Sequence, residues 1–178
     1  SFKATLPQKY SLLADLMYFS AGRVGEITSI RVRNINFQNG MVILEKSSTK
    51  TNETREIPIP QRLIADLKAW IASNSLVSDD YVFFTASRNT TYLKGKKKLS
   101  NQSVDDYFRK AFDWIGIKGA TTHSMRRSRL TRLMQNNWNV REIMEISGHK
   151  QLLSLQQYLD SDKNATHMKY RSLIEQEV

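Results

Sequence analysis

The sequence predicts an α+β domain that is mainly α-helical and carries a small antiparallel β-sheet. Two observations predict it: apolar residues recur at helical spacing through most of the chain, and two β-rich runs flank a single polar connection. The 178 residues, of which 40% are hydrophobic, are enough for one compact domain with its own core. No apolar run of about eighteen residues occurs, so no membrane-spanning helix is expected.

Two helices are predicted at the start of the chain. Apolar spacing predicts the first over residues 6–22, with Pro7 in its first turn and Gly22 as its terminator. A short second helix is predicted over residues 23–30. Arg23 therefore stands at the junction of the two helices, where its guanidinium can point across a cleft.

A β-hairpin is predicted next. Residues 41–46 and 55–60 are β-rich, and the polar connection between them places Lys50 near the hairpin tip. Pro58 and Pro60 cannot donate to a sheet, so we expect the second strand to lie at an edge or to end there.

The second half of the chain is predicted to be mostly helical. Helical spacing recurs over residues 61–73, 103–117, 121–137, 139–150 and 152–160. Residues 79–86 are predicted to form a short strand, and residues 87–103 a long basic loop. Asn139 and Glu142 form a capping-box pair, and Gly148 is expected to end the helix that they begin.

The composition favours a polyanionic partner. A net charge of +10 and a pI near 9.9 attract nucleic acid, although an acidic membrane surface would also fit. Cysteine is absent, which excludes disulfides and thiolate metal sites, and the three histidines lie far apart in sequence. The chain begins without Met or a signal-peptide block, so we expect it to be a piece of a longer protein.

Six residues have side chains suited to one kind of chemistry. On a helix, His123 and Arg126 are three positions apart, so they point the same way and could reach one bound group. His149 follows a helix-terminating glycine. The six residues are Arg23, Lys50, His123, Arg126, His149 and Tyr158.

Each of these residues alone also fits an ordinary structural role. His123 and Arg126 would suit a solvated basic helix, and Arg23 could pair with Glu26 three positions later. Together, however, the six match the needs of phosphodiester transesterification. Guanidinium groups bind the nonbridging oxygens of a phosphate, a tyrosine hydroxyl can attack phosphorus, and a lysine can protonate the leaving alkoxide. No carboxylate cluster has metal-ligand spacing, so we expect cationic side chains to do the electrostatic work.

The order and separation of these residues resemble the tyrosine recombinase (phage-integrase-type) family. The matching stretches are "SAGRVGEITSI", "SSTKTNETREIPIP", "THSMRRSRLTRL" and "SGHKQLLSLQQYLD". The resemblance implies that residues 1–178 are a catalytic domain, with the family's N-terminal DNA-binding domain absent from this chain.

The resemblance also implies a role for each residue. Arg23 and Arg126 would clamp the scissile phosphate, and His149 would hydrogen-bond one of its oxygens. Lys50 would be the general acid and His123 the proton acceptor. Tyr158 would attack and become linked to a DNA 3′-phosphate, with Glu26 orienting Arg23. No cofactor is implied, because the phosphotyrosyl ester keeps the bond energy.

Three positions depart from the family pattern: Ser147 replaces a usual leucine, Arg127 a common histidine and Leu155 a frequent threonine. A second set of basic residues could bind flanking DNA phosphates, so binding should weaken steeply as salt rises. These are Arg127, Arg129, Arg132, Lys94, Lys96, Lys97 and Lys98.

The resemblance implies double-stranded DNA as the partner, a homo-oligomer (a tetramer on two DNA sites) for the full-length protein, and a cytoplasmic, DNA-associated location. The tail, residues 159–178, has weak helical spacing and is a possible docking segment between protomers. Three alternatives stay open: a DNA-binding regulator that no longer cuts, a type IB topoisomerase, and a metal-dependent nuclease.

Overall fold

The computed structural model describes residues 2–45, 54–85, 96–156 and 163–176. The helices in these ranges are α1 (Gln8–Ser20), α2 (Val24–Thr28), α3 (Gln61–Ser73), α4 (Asn101–Trp114), α5 (Thr122–Gln135), α6 (Val140–Ser147), α7 (Leu153–Gln156) and α8 (Lys163–Ile174). The strands are β1 (Ile35–Asn36), β2 (Met41–Leu44), β3 (Arg55–Pro58), β4 (Phe84–Thr85) and β5 (Lys97–Lys98). The predicted class, mainly helical with small antiparallel sheets, is confirmed.

The predicted hairpin is formed by β2 and β3. These strands are antiparallel, with Val42 opposite Ile57 and Leu44 opposite Arg55. The sheet order is β1-β2-β3, so β3 is an edge strand, and it ends at Pro58, as the prolines predicted. Lys50 lies outside the described residues.

The described end of the predicted basic loop, from residue 96 onward, is more ordered than the sequence predicted. Lys97 and Lys98 form β5, which pairs with β4, so the prediction of a loop over residues 87–103 was wrong at its end. The buried Leu99 fixes this end, and its amide donates to the Phe83 carbonyl at 3.1 Å. Helix α4 then begins behind Ser100, whose hydroxyl caps it.

Helix α1 ends at Ser20, two residues before the end of the predicted range. Ala21 is its left-handed C-cap, at φ 48°, and Gly22 follows it. Gly22 is needed for space, because a Cβ there would lie 2.6 Å from Ile27 Cδ1 and 2.8 Å from Ser20 Oγ. Pro7 is the N-cap of α1 and not part of its first turn.

Two clusters of buried residues hold the domain together. The larger one surrounds α1, which packs against α2, α3 and α5. The smaller one joins the end of α1 to α5, α6 and α7, and its buried members are Ala21, Leu130, Leu133, Ile143 and Leu155. The site described below lies over this smaller cluster.

Helix α6 begins and ends at the residues that the sequence predicted. Helix α6 has the expected capping box, in which Asn139 accepts from the Arg141 amide and Glu142 accepts from the Asn139 amide, and Gly148 ends it at φ 70°. In the described part of the tail, Lys163–Ile174 form α8, and the side chains of residues 166–176 are exposed. In the described ranges, no helix has the length and apolar character needed to cross a bilayer.

Candidate active site

Arg126 is the buried centre of the site. It projects from α5 with only 3% of its surface exposed. One guanidinium nitrogen, Nη1, donates to the Ala21 carbonyl, and Nη2 donates to the Ser147 carbonyl at 2.8 Å. Arg126 therefore ties α5 to the ends of α1 and α6, and its charge is fixed in place by backbone dipoles.

His149 lies against this guanidinium. The left-handed turn at Gly148 brings its ring to Arg126, whose Nη2 is 3.3 Å from Nδ1 and 3.1 Å from Nε2. The hydroxyl of Ser147 is 2.7 Å from Nδ1. Burial, and then the charges of Arg126, Arg23 and Arg55, lower the pKa of His149 from 6.5 to about 4. The imidazole is therefore neutral at neutral pH.

Arg23 occupies the predicted junction between α1 and α2. It is the N-cap of α2, and its side chain is about one third exposed. The Glu26 carboxylate accepts from the Arg23 amide at 2.7 Å and lies 3.8 Å from the Arg23 guanidinium. Glu26 thus holds both the backbone and the charge of Arg23.

Arg55 is the residue that sequence reasoning missed. From β3, its Nη1 and Nη2 donate to the two Glu26 carboxylate oxygens at 3.0 and 3.3 Å, and both side chains are buried. Burial raises the pKa of Glu26, but hydrogen bonds from Arg55 and Arg23, together with their charges, lower it below its ordinary value. The sequence did contain an indication of this role. Arg55 is two and four positions from Ile57 and Ile59, so it shares their buried face, where an arginine needs a carboxylate partner.

A cavity opens beside this cluster. It has a volume of about 780 Å³ and lies between residues 54–57 and the end of α6, with His149 and Lys150 on its wall. Within the described ranges, no three His, Asp or Glu side chains are grouped so that they could hold a metal ion. The cavity wall carries two cationic side chains, Arg55 and Lys150, and two carboxylates, Glu56 and Glu145.

The other predicted catalytic residues are not brought into this cluster by the described contacts. His123 lies one helical turn before Arg126, but its side chain is exposed whereas that of Arg126 is buried. Lys50 and Tyr158 lie outside the described residues. The structure therefore assembles Arg23, Glu26, Arg126 and His149, and adds Arg55 to them.

Of the basic residues that were predicted to contact DNA, four in the described ranges have exposed side chains. Arg127, Arg132 and Lys97 are exposed. Lys98 is exposed too and donates to Ser29 Oγ at 2.6 Å. Lys94 lies outside the described residues.

Two of these side chains have structural contacts that the sequence did not suggest. Lys96 donates to the carbonyls of Asn74 and Ser75 at the end of α3. The Arg129 guanidinium lies over the rings of Tyr18 and Phe19, at 5.6 and 5.9 Å from their centroids.

Comparisons with known proteins agree on one family. A family model described as "Phage integrase family" matches residues 2–165. The tyrosine recombinase XerA of Pyrococcus furiosus is 32% identical over 162 residues, which cover 89% of this chain and 51% of that protein. The chain thus spans about half the length of the curated relatives that it matches.

Solved structures share the fold. A crystal structure of XerA recombinase has a TM-score of 0.73 at 18% identity, covering 96% of this chain and 60% of that one. The XerH site-specific recombinase bound to its difH substrate has a TM-score of 0.74 at 18% identity, covering 95% and 49%.

Proposed function

The chain belongs to the phage integrase family, and on that premise we propose that it is the catalytic domain of a site-specific DNA recombinase. It cleaves and rejoins DNA strands through a 3′-phosphotyrosyl intermediate, without a metal ion. The observation that carries this proposal is a neutral histidine, His149, lying among the guanidinium groups of Arg126, Arg23 and Arg55. Such a cluster suits a phosphate whose charge grows during reaction.

The scissile phosphate binds between Arg23 and Arg126. Arg126 is already held by two carbonyls, so its charge needs little reorganisation when a phosphate arrives. Glu26 holds Arg23 at the junction of α1 and α2. His149 donates a hydrogen bond to a nonbridging oxygen without adding charge, because its pKa of about 4 keeps it neutral.

The bond changes are those of a balanced transesterification. The Tyr158 oxygen attacks phosphorus as the bond to the 5′-oxygen breaks; His123 accepts the phenol proton and Lys50 gives a proton to the leaving oxygen. These roles come from the family resemblance. Attack by a 5′-hydroxyl on the phosphotyrosyl ester reverses the steps and rejoins DNA, so no external energy source is needed.

Double-stranded DNA is the proposed substrate, in a cytoplasmic, DNA-associated setting. The net charge of +10 and the exposed Arg127, Arg132 and Lys97 support it. Among the solved structures that share the fold, the Tn1549 transposon integrase is in complex with transposon right end DNA. We further propose that the full-length protein acts as a homo-oligomer, a tetramer on two DNA sites, with residues 159–178 docking between protomers.

The test is covalent trapping. Nicked suicide duplexes, selected for binding from a random-sequence pool, should give a protein–DNA adduct that resists denaturation, also in EDTA. Tyr158→Phe should abolish the adduct while DNA binding persists, and Tyr107→Phe on α4 should keep both. An adduct that survives Tyr158→Phe refutes the nucleophile assignment.

The same assay separates the alternatives. Binding with no adduct from the unaltered protein would favour a regulator that does not cut. Relaxation of supercoiled plasmid without a specific site would favour topoisomerase-like activity. Cleavage that EDTA stops would favour a metal-dependent nuclease.

A further inference from the structure

The Ser147 side chain forms a hydrogen bond with the His149 ring. Ser147 is the last residue of α6 and is fully buried, with Oγ 2.7 Å from His149 Nδ1 and 3.5 Å from the Met144 carbonyl. That carbonyl already accepts from the Gly148 amide at 2.7 Å. A separation of 2.7 Å suits a hydroxyl donor better than a ring N–H donor. The short separation and the occupied carbonyl therefore favour donation from the Ser147 hydroxyl to Nδ1.

Arg126 does not compete for the in-plane position at Nδ1. Its Nη2 is almost equally far from both ring nitrogens, at 3.3 and 3.1 Å. An atom placed in this way lies over the face of the ring, since in the ring plane it would overlap Cε1. The nitrogen lone pair lies in the plane, so Ser147 has the better geometry to bond with it.

We propose that Ser147 is a positioning residue that fixes the tautomer of His149. With Nδ1 accepting from the hydroxyl, the neutral ring carries its hydrogen on Nε2. Arg126 offers Nε2 no acceptor, because a guanidinium has only donors. The Nε2–H donates to a nonbridging oxygen of the bound phosphate. That last step rests on the proposed function, whereas the tautomer is a property of the free protein.

The surroundings of His149 make the tautomer important. Burial and the nearby guanidinium groups keep the ring neutral, with a pKa of about 4. A neutral imidazole has one donor and one acceptor nitrogen, so the wrong tautomer would turn a lone pair toward the phosphate. A leucine in place of Ser147, as the family pattern would have it, has no group that could donate to Nδ1.

The first test is nitrogen-15 NMR of the free protein at neutral pH. With three histidines in the chain, the His149 signals are assigned by their loss in His149→Asn. We expect a pyridine-type Nδ1 and a pyrrole-type Nε2. Ser147→Ala should convert this pattern to a mixture or to the other tautomer, while Ser128→Ala, which removes an exposed helical hydroxyl, should leave it unchanged. An Nδ1–H tautomer in the unaltered protein, or no change in Ser147→Ala, overturns the inference.

The second test is the rate of adduct formation. Ser147→Ala should slow it about fivefold, the order expected for one neutral hydrogen bond, with DNA affinity nearly unchanged. If no adduct forms but the tautomer shifts as described, the proposed function fails and the role of Ser147 stands. If adducts form at the same rate in Ser147→Ala and the unaltered protein, the role of Ser147 is refuted and the proposed function stands.

Discussion

Glu26 is a buried carboxylate held by arginines from two different elements. Arg55 binds both of its oxygens from β3, and Arg23 approaches from the start of α2. Removing one partner of a buried ion pair leaves the other charge without compensation, which costs far more than the loss of an exposed pair. The stability of this corner of the site therefore depends on Arg55.

Arg55→Met should lower the free energy of unfolding by about 3–5 kcal/mol. Urea denaturation of the single variants and of Glu26→Gln/Arg55→Met measures the coupling, and the double variant should be more stable than Arg55→Met alone. Arg62→Met is the matched control, because Arg62 pairs with Asp66 in solvent. Equal losses for Arg55→Met and Arg62→Met would contradict the buried pair.

His149 should make stability depend on pH in a defined window. Its pKa is about 4 when folded and near 6.5 when unfolded, so between these values the unfolded chain binds the extra proton. The free energy of unfolding should therefore fall as pH drops from about 6.5 toward 4. The pKa of Glu26 is lowered from 4.5, so protonation of its carboxylate removes further stability at the acid end of this window.

Urea denaturation at several pH values between about 5 and 7 tests this. His149→Asn should flatten the slope, whereas His167→Asn on the exposed α8 should preserve it. A slope that is unchanged in His149→Asn would show that the proton is taken up elsewhere.

The sequence predicts the site residues that belong to a recognisable motif, but it does not predict Arg55, whose place in the site depends on a long-range contact. Arg126 and Glu26 were predicted from the family resemblance, and the structure places both in the cluster. Arg55 is 29 residues from Glu26, and nothing local in the chain states which carboxylate it will meet. The roles of Lys50, His123 and Tyr158 stay predictions.

At the end of α6, the backbone of Gly148 lies close against the Arg55 side chain. Gly148 is left-handed, and a Cβ there would come within 2.8 Å of Arg55 Cζ. The turn therefore allows the Arg55 guanidinium to pass beneath the backbone that leads to His149. Glycine is required here both for its φ angle and for space.

Gly148→Ala should destabilise the protein more than Gly116→Ala. Both glycines have positive φ, but a Cβ at Gly116 meets no atom within 4 Å. Gly116→Ala thus measures the backbone strain alone, about 1 kcal/mol. Urea denaturation compares the two, and Arg55→Met should reduce the excess cost of Gly148→Ala. Equal costs for both alanine variants would show that Arg55 yields freely.

Elements were predictable where local chemistry decides them. Pro58 ends β3 at the edge of its sheet, and the Asn139–Glu142 cap begins α6, because both effects act within a few residues. The strand of Lys97 and Lys98 was not predictable, since two lysines carry no β pattern and their partner strand, β4, is distant in the sequence. Likewise, the reason for a glycine at position 22 is that a Cβ there would lie too close to Ile27, and this cannot be read from the helix end itself.

For the whole molecule, α8 stands apart from the packed core. Apolar side chains on it are exposed, among them Met168, Tyr170 and Leu173. Burial against the domain therefore contributes little to hold the described part of this helix. We expect its apolar residues to matter for assembly rather than for the stability of one protomer.

Deleting residues 165–178 should leave the free energy of unfolding nearly unchanged and reduce oligomer formation on DNA. Analytical ultracentrifugation of the protein–DNA complex measures the assembly. Replacing Met168 and Leu173 by serine in the intact chain should have the same effect, since both side chains are exposed. Unchanged sedimentation in both variants would refute a docking role for the tail.

The two carbonyls that hold Arg126 also determine when the site can exist. They belong to residues 105 positions before it and 21 positions after it, so no single segment of the chain contains the arrangement. During synthesis, Ala21 and α5 leave the ribosome before Ser147 and His149 do. The arrangement around Arg126 is therefore completed only when Ser147 has emerged, and we predict that a chain truncated before this residue does not bind the phosphate in the proposed position.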